Sequence, residues 1–251
     1  MASEEIIDTV NVERPLVSVL LPVHNEADLI ADVVAEIHEK ILSKIDGEIV
    51  ISEDGSSDGT KDVIKQLSKE IPLRAILSDE RKGYAYGIID GLKLVRAPYV
   101  LFMDSDGQYN PGDFWKLWEY KDKYDIVVGR RVKRNDNWFR KLMSATFQSM
   151  SKIAFWLWYV KDMTSPFRLA KTSVARDVAS EFKYMVESFW TEFTIKAHLK
   201  GYKTIEIPIE HRPRPTGDTR VYKPAKIPGI AFRQAKALVK LRFEAWRRRN
   251  E

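Results

Sequence analysis

The first 130 residues alternate between short apolar segments and helical segments that carry one apolar face. Each apolar segment ends in a polar turn, and a helical segment then leads to the next apolar one. This order is typical of βαβ units, in which helices join parallel strands and cover the sheet. The pattern predicts strands at residues 16–22, 48–52, 73–77, 99–103 and 125–129, and helices at 28–42, 61–68, 83–95 and 111–120. We expect an α/β fold with a mostly parallel sheet flanked by helices.

The regular alternation of apolar and helical segments ends after Gly129. Residues 138–160 predict a helix that is unusually rich in aromatic side chains, and residues 229–248 predict a basic amphipathic helix. Between them the sequence predicts helices at 173–182 and 188–199, a strand at 203–209 and a loop at 211–220. We therefore divide the chain into one large domain, residues 1–225, and a C-terminal helix, residues 226–251.

Charge is unevenly distributed along the chain. The whole chain has a net charge of +5, yet residues 196–251 hold 15 Lys and Arg against 5 Asp and Glu. That segment alone carries +10, so residues 1–195 carry −5. A basic C-terminal helix can bind nucleic acid, anionic lipid headgroups or polyphosphates, and charge alone does not choose among them.

Two features limit the class of protein. The chain has no cysteine, which excludes a disulfide scaffold, a cysteine-ligated zinc site and a catalytic thiol. Its longest strongly apolar run, residues 153–160, is far shorter than the roughly 20 residues that a membrane-spanning helix needs. We expect a chain that does not itself cross a membrane.

Two carboxylates follow the apolar run at 99–103 with one residue between them. Asp104 and Asp106 belong to the sequence Asp-Ser-Asp-Gly-Gln, which ends at Gln108. Ligands of open α/β sheets bind at the carboxyl ends of the strands, where this turn is predicted to lie. Two adjacent carboxylates repel each other unless a cation compensates, so Mg²⁺ or Mn²⁺ carrying a phosphorylated ligand fits the pair. A surface turn or a helix cap is the alternative interpretation.

Polar turns also follow the first two predicted strands. Residues 22–26 read Pro-Val-His-Asn-Glu, and residues 53–60 read Glu-Asp-Gly-Ser-Ser-Asp-Gly-Thr. Together with the acid pair, these turns would meet at one edge of the sheet, as in a nucleotide site. The chain lacks a glycine-rich phosphate loop, so we expect a cation and Arg or Lys side chains to hold an anionic ligand.

In this order and spacing, the motifs resemble those of family 2 glycosyltransferases. The resemblance covers roughly residues 16–225 and includes Asp-Met-Thr-Ser-Pro-Phe-Arg at 162–168 and Ile-Glu-Ile-Pro-Ile at 205–209. Among the members of this family it is greatest to dolichyl-phosphate mannose synthases. It implies a GT-A fold and inverting transfer of a sugar from a nucleotide diphosphate donor, with a divalent metal, Mg²⁺ or Mn²⁺, on the diphosphate.

The resemblance also implies roles for individual residues. Metal contacts fall on Asp104, Asp106 and Gln108, and catalytic roles on Asp106, Arg214 and Arg220. An acceptor-phosphate site falls on Arg140, Ser144 and Arg168. Donor contacts fall on Pro22, His24, Glu26, Ser52, Asp54, Asp104, Ser105 and Arg131.

The sequence motifs leave the chemical class of the acceptor open. A phosphate acceptor is already anionic and needs no general base, whereas a sugar hydroxyl does. Our first hypothesis is transfer of mannose, from GDP-mannose, to a polyprenyl phosphate such as dolichyl phosphate. The alternative is a mannosyl- or glucosyltransferase that extends a lipid-linked glycan, with Glu192 as its base. Glu192 could equally be a structural carboxylate. A non-catalytic protein that binds nucleotide sugars or membranes is the rival from another class.

Amphipathic helices with Trp, Lys and Arg are typical of segments that lie in a bilayer interface. The helices at 138–160 and 226–251 have that composition. We therefore expect an anionic membrane surface as a partner and no nucleic acid. The protein would act at the cytoplasmic face, either as a peripheral enzyme or as the soluble part of a longer membrane protein.

Overall fold

The computed structural model describes residues 4–132, 138–215 and 227–250, without side chains at 138–144, 227–228 and 248–250. One sheet of eight strands runs through the described molecule, in the order β1-β4-β3-β2-β5-β7-β6-β8. The strands are β1 (Glu4–Asp8), β2 (Val17–Val23), β3 (Gly47–Asp54), β4 (Leu73–Ser78), β5 (Tyr99–Phe102), β6 (Ile126–Arg131), β7 (Arg168–Lys171) and β8 (Thr204–Ile209).

The middle of the sheet is parallel. Strands β4, β3, β2 and β5 run side by side in the same direction, and β6 runs parallel to β8. Three antiparallel pairings complete the sheet, between β1 and β4, between β5 and β7, and between β7 and β6. The prediction of a mostly parallel α/β sheet is therefore confirmed. It places the carboxyl ends of β2, β3 and β5 next to one another.

Helices cover both faces of the sheet. They are α1 (Ile30–Ile37), α2 (Thr60–Glu70), α3 (Tyr84–Leu94), α4 (Phe114–Trp118), α5 (Trp138–Phe155), α6 (Thr172–Ser180), α7 (Phe189–Leu199) and α8 (Ile227–Asn250). Helix α1 continues into a π-helical turn, His38–Leu42. Two short 3₁₀ turns, Pro111–Asp113 and Val186–Ser188, precede α4 and α7.

Alternate residues of the central strands enter two separate cores. Val19 and Leu21 of β2 pack with α1 and α2 on one face. Leu20 of the same strand packs with α3, α6 and α7 on the other. Because both faces are buried, the central strands are apolar almost throughout, which explains why the sequence pattern located them.

A third apolar cluster holds α8 against the rest of the domain. It joins Leu238 and Leu241 of α8 to Phe155 and Leu157 near the end of α5 and to Ile195 of α7. No helix in the described part of the chain is both long enough and apolar enough to cross a membrane.

The structure corrects three details of the sequence prediction. Strands β1 and β7 were not predicted, since β1 is mostly exposed and polar and β7 has only four residues. The helix predicted for residues 138–160 ends at Phe155. Trp156 there has a φ of 59°, a left-handed conformation that does not continue a helix.

Candidate functional site

The acid pair lies in the loop that follows β5, next to the end of β2. Asp104 and Asp106 are both partly buried, and Ser105 between them is buried. The Ser105 hydroxyl donates a hydrogen bond of 3.0 Å to the carbonyl oxygen of Pro22. This bond fixes the acidic loop to the carboxyl end of β2.

Two aromatic side chains orient Asp104. The Tyr84 hydroxyl donates to Oδ1 of Asp104 at 2.7 Å, and Nε1 of Trp190 donates to the Tyr84 hydroxyl at 2.8 Å. Tyr84 begins α3 and Trp190 lies in α7, so two helices meet over the acidic loop. The carboxylate is therefore held by a defined chain of hydrogen bonds.

Burial and mutual repulsion make the acid pair less acidic than free carboxyls. Burial first, and then the negative charge of Asp106, raise the pKa of Asp104 to about 7. Burial also raises the pKa of Asp106, although the Gln108 N–H and the charge of Arg214 oppose that shift. Such a pair favours a positive ligand, because a cation removes the repulsion between the two carboxylates.

The donor set fits a hard divalent cation. Oδ1 of Asp106 accepts the Gln108 N–H at 3.1 Å, and Nε2 of Gln108 donates to the Arg212 carbonyl at 3.1 Å. That second bond orients the Gln108 amide, so its oxygen is the atom left to act as a ligand. The described residues contain no group of three or more His, Cys, Asp and Glu side chains arranged for a metal ion. Mg²⁺ commonly binds proteins through one or two carboxylates together with substrate phosphates, which matches this pair.

The loops after β2 and β3 are fastened together by Asn25. Its N–H donates to Oγ of Ser56 and its side-chain oxygen accepts the Ser57 N–H, both at 2.8 Å. Asn25 has a φ of 56°, a left-handed conformation that Asn tolerates better than most residues. Nδ1 of His24 lies 2.8 Å from the carbonyl oxygen of Asp54, which brings two predicted donor contacts together.

Asp54 connects the end of β3 to the start of α3. Its two carboxylate oxygens accept the N–H groups of Lys82 and Gly83, at 2.6 and 2.8 Å. The next residue, Gly55, has a φ of +62°, and a Cβ there would lie 2.5 Å from the Arg81 nitrogen. Glycine at this position allows the turn to pack against the 81–83 segment. Ser52 is buried, and its Oγ would lie 3.9 Å from a Cβ on Gly87 of α3.

Two arginines place positive charge near the acid pair. Arg131, at the end of β6, forms a two-pronged ion pair with Asp162, with both N···O distances at 2.8 Å. Its charge lowers the pKa of Asp104 and Asp106, against the larger opposing effect of burial. Arg214 binds both carboxylate oxygens of Glu26, at 2.7 and 2.6 Å. These cations can neutralise a diphosphate.

The segment that carries Arg214 packs along the acidic loop. The Arg212 N–H donates to the Gln108 carbonyl at 2.8 Å, and a Cβ on Gly107 would lie 3.2 Å from the Pro215 ring. The Arg214–Glu26 pair then joins this segment to the turn after β2. The segment therefore borders the acid pair on the side of β8.

Glu192 is placed as a structural carboxylate. It is fully buried and accepts the N–H groups of Lys183, Tyr184 and Met185 at 2.9, 2.9 and 2.7 Å. The Lys196 ammonium lies 2.9 Å from the same carboxylate. These contacts match the interpretation of Glu192 as a structural carboxylate. Its oxygens are already bound by three backbone N–H groups and one ammonium, and none of these contacts involves the acid pair.

Arg168 is also placed in the interior, which conflicts with the expectation that it binds the acceptor. It is 1% exposed, and it donates to the carbonyls of Ser165 and Met163 and to the hydroxyl of Thr194. Its guanidinium lies 4.7 Å from the centre of the Trp190 ring. Burial lowers the pKa of Arg168 to about 10, so it stays charged at neutral pH. We conclude that Arg168 packs against the Trp190 ring in the interior and helps to hold that ring in place.

The structure thus gathers Pro22, His24, Glu26, Asp54, Asp104, Ser105, Asp106, Gln108, Arg131 and Arg214 around one edge of the sheet. Arg220 lies outside the described residues, as do the side chains of Arg140 and Ser144. Sequence reasoning missed Tyr84, Trp190 and Asp162. Trp190 and Tyr84 are 106 positions apart, and only the packing of α7 against α3 brings them together.

The model of glycosyl transferase family 2 matches residues 18–187. Among curated proteins, glycosyltransferase AglJ of Haloferax volcanii is 25% identical over 152 residues, covering 55% of this chain and 46% of that protein. An undecaprenyl-phosphate 4-deoxy-4-formamido-L-arabinose transferase of Edwardsiella ictaluri is 26% identical over 147 residues, covering 58% and 43%. The chain thus spans less than half the length of these two relatives.

Solved structures share the fold at low sequence identity. A mannosyltransferase from Pyrobaculum calidifontis, in complex with GDP-Man and Mn²⁺, aligns with a TM-score of 0.59 at 18% identity, covering 92% of this chain and 74% of that one. Glucosyl-3-phosphoglycerate synthase from Mycobacterium tuberculosis, with Mn²⁺, UDP and phosphoglyceric acid, aligns with a TM-score of 0.66 at 15% identity, covering 92% and 79%. These neighbours have the GT-A fold, as expected.

Proposed function

Because the chain belongs to glycosyl transferase family 2, we propose that it transfers mannose, with inversion, from GDP-mannose to a polyprenyl phosphate such as dolichyl phosphate. The observation that carries the proposal is the partly buried acid pair, Asp104 and Asp106, beside Arg131 and Arg214. A diphosphate with a divalent cation complements both charges of this site. The mannosyltransferase neighbour with GDP-Man and Mn²⁺ supports the donor, and the undecaprenyl-phosphate transferases support the acceptor.

The donor would lie along the carboxyl ends of β2, β3 and β5. Its nucleoside would contact Pro22, His24, Ser52 and Asp54, and its diphosphate would approach the acid pair. Glu26 holds Arg214 in the present arrangement. A diphosphate that takes over this arginine would replace one anionic partner of the guanidinium by another, so Arg214 would keep a charged partner during binding.

A divalent cation, Mg²⁺ or Mn²⁺, held by Asp104, Asp106 and the amide oxygen of Gln108, would supply stabilisation of the negative charge on the leaving diphosphate. Arg214 and Arg220 would act on the same charge from the side of the 210–220 segment. Tyr84 keeps Asp104 in a fixed orientation through the hydrogen bond at Oδ1. Preorganised groups of this kind lower the barrier because they need not move as charge develops.

A phosphate acceptor suits this site better than a sugar hydroxyl. Phosphate is already a nucleophile at neutral pH, so the reaction needs no general base. The alternative, extension of a lipid-linked glycan, needs Glu192 as base, and that carboxylate is engaged by three backbone N–H groups and Lys196. Arg140 and Ser144 are the residues that we propose to hold the acceptor phosphate.

The lipid acceptor implies action at a membrane. We propose that the protein associates peripherally with the cytoplasmic face of a membrane, through the segment at 138–160, which includes α5, and through the C-terminal helix at 226–251. Exposed aromatic side chains at the end of α5 and on α8 support this association. A membrane segment or subunit outside this chain is compatible with the proposal.

The donor half of the proposal is tested by calorimetric titration of GDP-mannose in the presence and absence of Mn²⁺. Asp106→Asn should abolish the Mn²⁺-dependent part of binding, because it removes one of the two carboxylates. Asp122→Asn, an exposed carboxylate in the α4–β6 connection, is the matched control. If Asp106→Asn binds like the parent protein, the acid pair does not hold the metal.

The acceptor half is tested by mannosyl transfer to dolichyl phosphate. Adding UDP-glucose as a competing donor measures the donor preference. Adding dolichol, which lacks the phosphate, as a competing acceptor measures the acceptor preference. Transfer to phosphate and not to the alcohol is expected. Equal transfer to dolichol would contradict a mechanism without a base. Retained transfer by Asp106→Asn would contradict a catalytic role for that carboxylate, and donor binding by the parent protein without any transfer would favour the non-catalytic alternative.

A further inference from the structure

Helix α8 carries two apolar stripes on nearly opposite sides. The inner stripe comprises Ile230, Ala237, Leu238 and Leu241, all buried, and the last three pack in the cluster that joins α8 to α5 and α7. The outer stripe is exposed, with Phe232 at 71%, Val239 at 68%, Phe243 at 62% and Trp246 at 55% of full exposure. At 3.6 residues per turn the outer residues cluster within about 60° of one another, roughly 160° from the inner stripe. An ordinary surface helix has one apolar stripe, so a second, exposed stripe marks a candidate docking surface.

Basic side chains border the outer stripe on both sides. Lys236, Lys240 and Arg247 are exposed on one flank, and Arg242 is exposed on the other. Glu244 is the acidic residue on the described helix, and it is engaged by the Tyr184 hydroxyl at 2.7 Å. The surface around the stripe is therefore strongly positive.

The end of α5 extends this surface. Trp156, Leu199, Arg242 and Ala245 line one cavity of about 440 Å³, which places Trp156 beside the Arg242 flank of α8. Trp156 is 71% exposed, and Trp158 and Tyr159 next to it are also exposed. Its left-handed backbone is unusual for a bulky residue and turns the chain sharply where these rings are presented.

We propose that the outer stripe of α8, with Trp156, Trp158 and Tyr159, docks on the surface of an anionic lipid bilayer. Aromatic and aliphatic side chains would enter the headgroup region, and the flanking Lys and Arg would contact anionic headgroups. A protein partner or a second copy of this chain would have to present a strongly acidic rim to satisfy the same flanks. Charge complementarity thus selects the bilayer. The inference deepens the proposed function, on which it rests for the need of a membrane.

Vesicle flotation tests the docking surface directly. The full chain should bind phosphatidylcholine vesicles that contain phosphatidylglycerol, and bind pure phosphatidylcholine much less. Phe232→Ser with Phe243→Ser, and separately Lys236→Glu with Lys240→Glu, should each weaken binding about tenfold or more. Ile6→Ser, also an exposed apolar residue, and Lys123→Glu, an exposed cation away from α8, should bind like the parent protein.

Two results would overturn the proposal. The parent protein could fail to bind anionic vesicles at low salt. Alternatively, light scattering could find a dimer that Phe232→Ser with Phe243→Ser converts to monomer, which would make a second copy the occupant. GDP-mannose binding with Mn²⁺, measured without lipid on the same variants, separates this surface from the donor site. Vesicle binding without donor binding would refute the proposed function and leave the docking surface standing.

Discussion

Substituting Glu192 with Gln should destabilise the protein strongly. The Glu192 carboxylate accepts hydrogen bonds from three backbone N–H groups of the 183–185 segment and pairs with Lys196 at 2.9 Å. The Gln amide is neutral, and its nitrogen would face N–H donors. The change therefore removes a charge and places a donor where an acceptor is needed.

The size of the effect follows from the burial of the partner. Lys196 is 3% exposed and also donates to the carbonyl of Glu181. Leaving one member of a buried ion pair without its partner costs about 3–5 kcal/mol. For a chain of 251 residues this corresponds to a loss of about 10 °C in Tm. Urea unfolding followed by circular dichroism measures the free energy directly.

A double-mutant cycle isolates the ion pair. Lys196→Met alone should also destabilise the protein, because it leaves the Glu192 charge buried without its cation. The double variant, Glu192→Gln with Lys196→Met, should lose less than the sum of the two single changes. Asp122→Asn replaces an exposed carboxylate by its amide and should leave Tm unchanged.

The same substitution distinguishes the structural role from catalysis. A general base would leave Tm unaltered in Glu192→Gln, with kcat reduced and the acidic limb of the pH–rate profile lost. If Glu192→Gln unfolds at the same urea concentration as the parent protein, the reasoning from burial and hydrogen bonding is refuted. The hydroxyl-acceptor alternative would then regain its base.

Two further predictions concern the edges of the site. Tyr84→Phe removes the hydrogen bond to Asp104 and should weaken Mn²⁺-dependent GDP binding about tenfold, because outer contacts orient metal ligands. Tyr86→Phe, also exposed on α3, is the control in the same calorimetric titration, and equal affinities would contradict the positioning role. Glu36 should contribute to the decrease in the free energy of unfolding at acidic pH. Burial tends to raise its pKa, but hydrogen bonds from Lys40 and Arg212 outweigh this and hold the pKa below the ordinary 4.5. Its stabilisation is present above about pH 4.5 and is lost as pH falls through the folded value. Glu36→Gln should therefore lose less stability than the parent protein between pH 6 and pH 3 in urea titrations, and identical losses would contradict it.

The central strands were predictable because burial on both faces requires nearly continuous apolar residues. That requirement marked β2 through β6 in the sequence. It could not mark β7, where only Leu169 and Ala170 are apolar and the strand is defined by pairing with β5 and β6. The sequence pattern also gives no signal for β1, because this strand is defined by its pairing with β4 at the exposed edge of the sheet.

The site was predictable where it depends on strand ends and not where it depends on helix packing. Asp54 and the acid pair follow parallel strands, so the sheet itself brings them together. Arg168 and Glu192 were assigned to chemistry because a buried structural charge and a functional charge look alike in a sequence. The contacts in the structure distinguish a structural role from a functional one. Arg168 donates to main-chain carbonyls, and Glu192 accepts main-chain N–H groups.

Helix α7 connects the proposed donor site to the proposed membrane surface. Trp190 reaches Asp104 through Tyr84, while Glu192, two residues further on, holds the 183–185 segment. That segment in turn contacts α8, through Tyr184 and Glu244. Since the outer stripe of α8 faces away from these contacts, Phe232→Ser with Phe243→Ser should alter the proposed membrane surface and leave the hydrogen bonds that support Asp104 intact. Loss of Glu192 disturbs that support from within, so the two perturbations should affect vesicle binding and donor binding in different proportions.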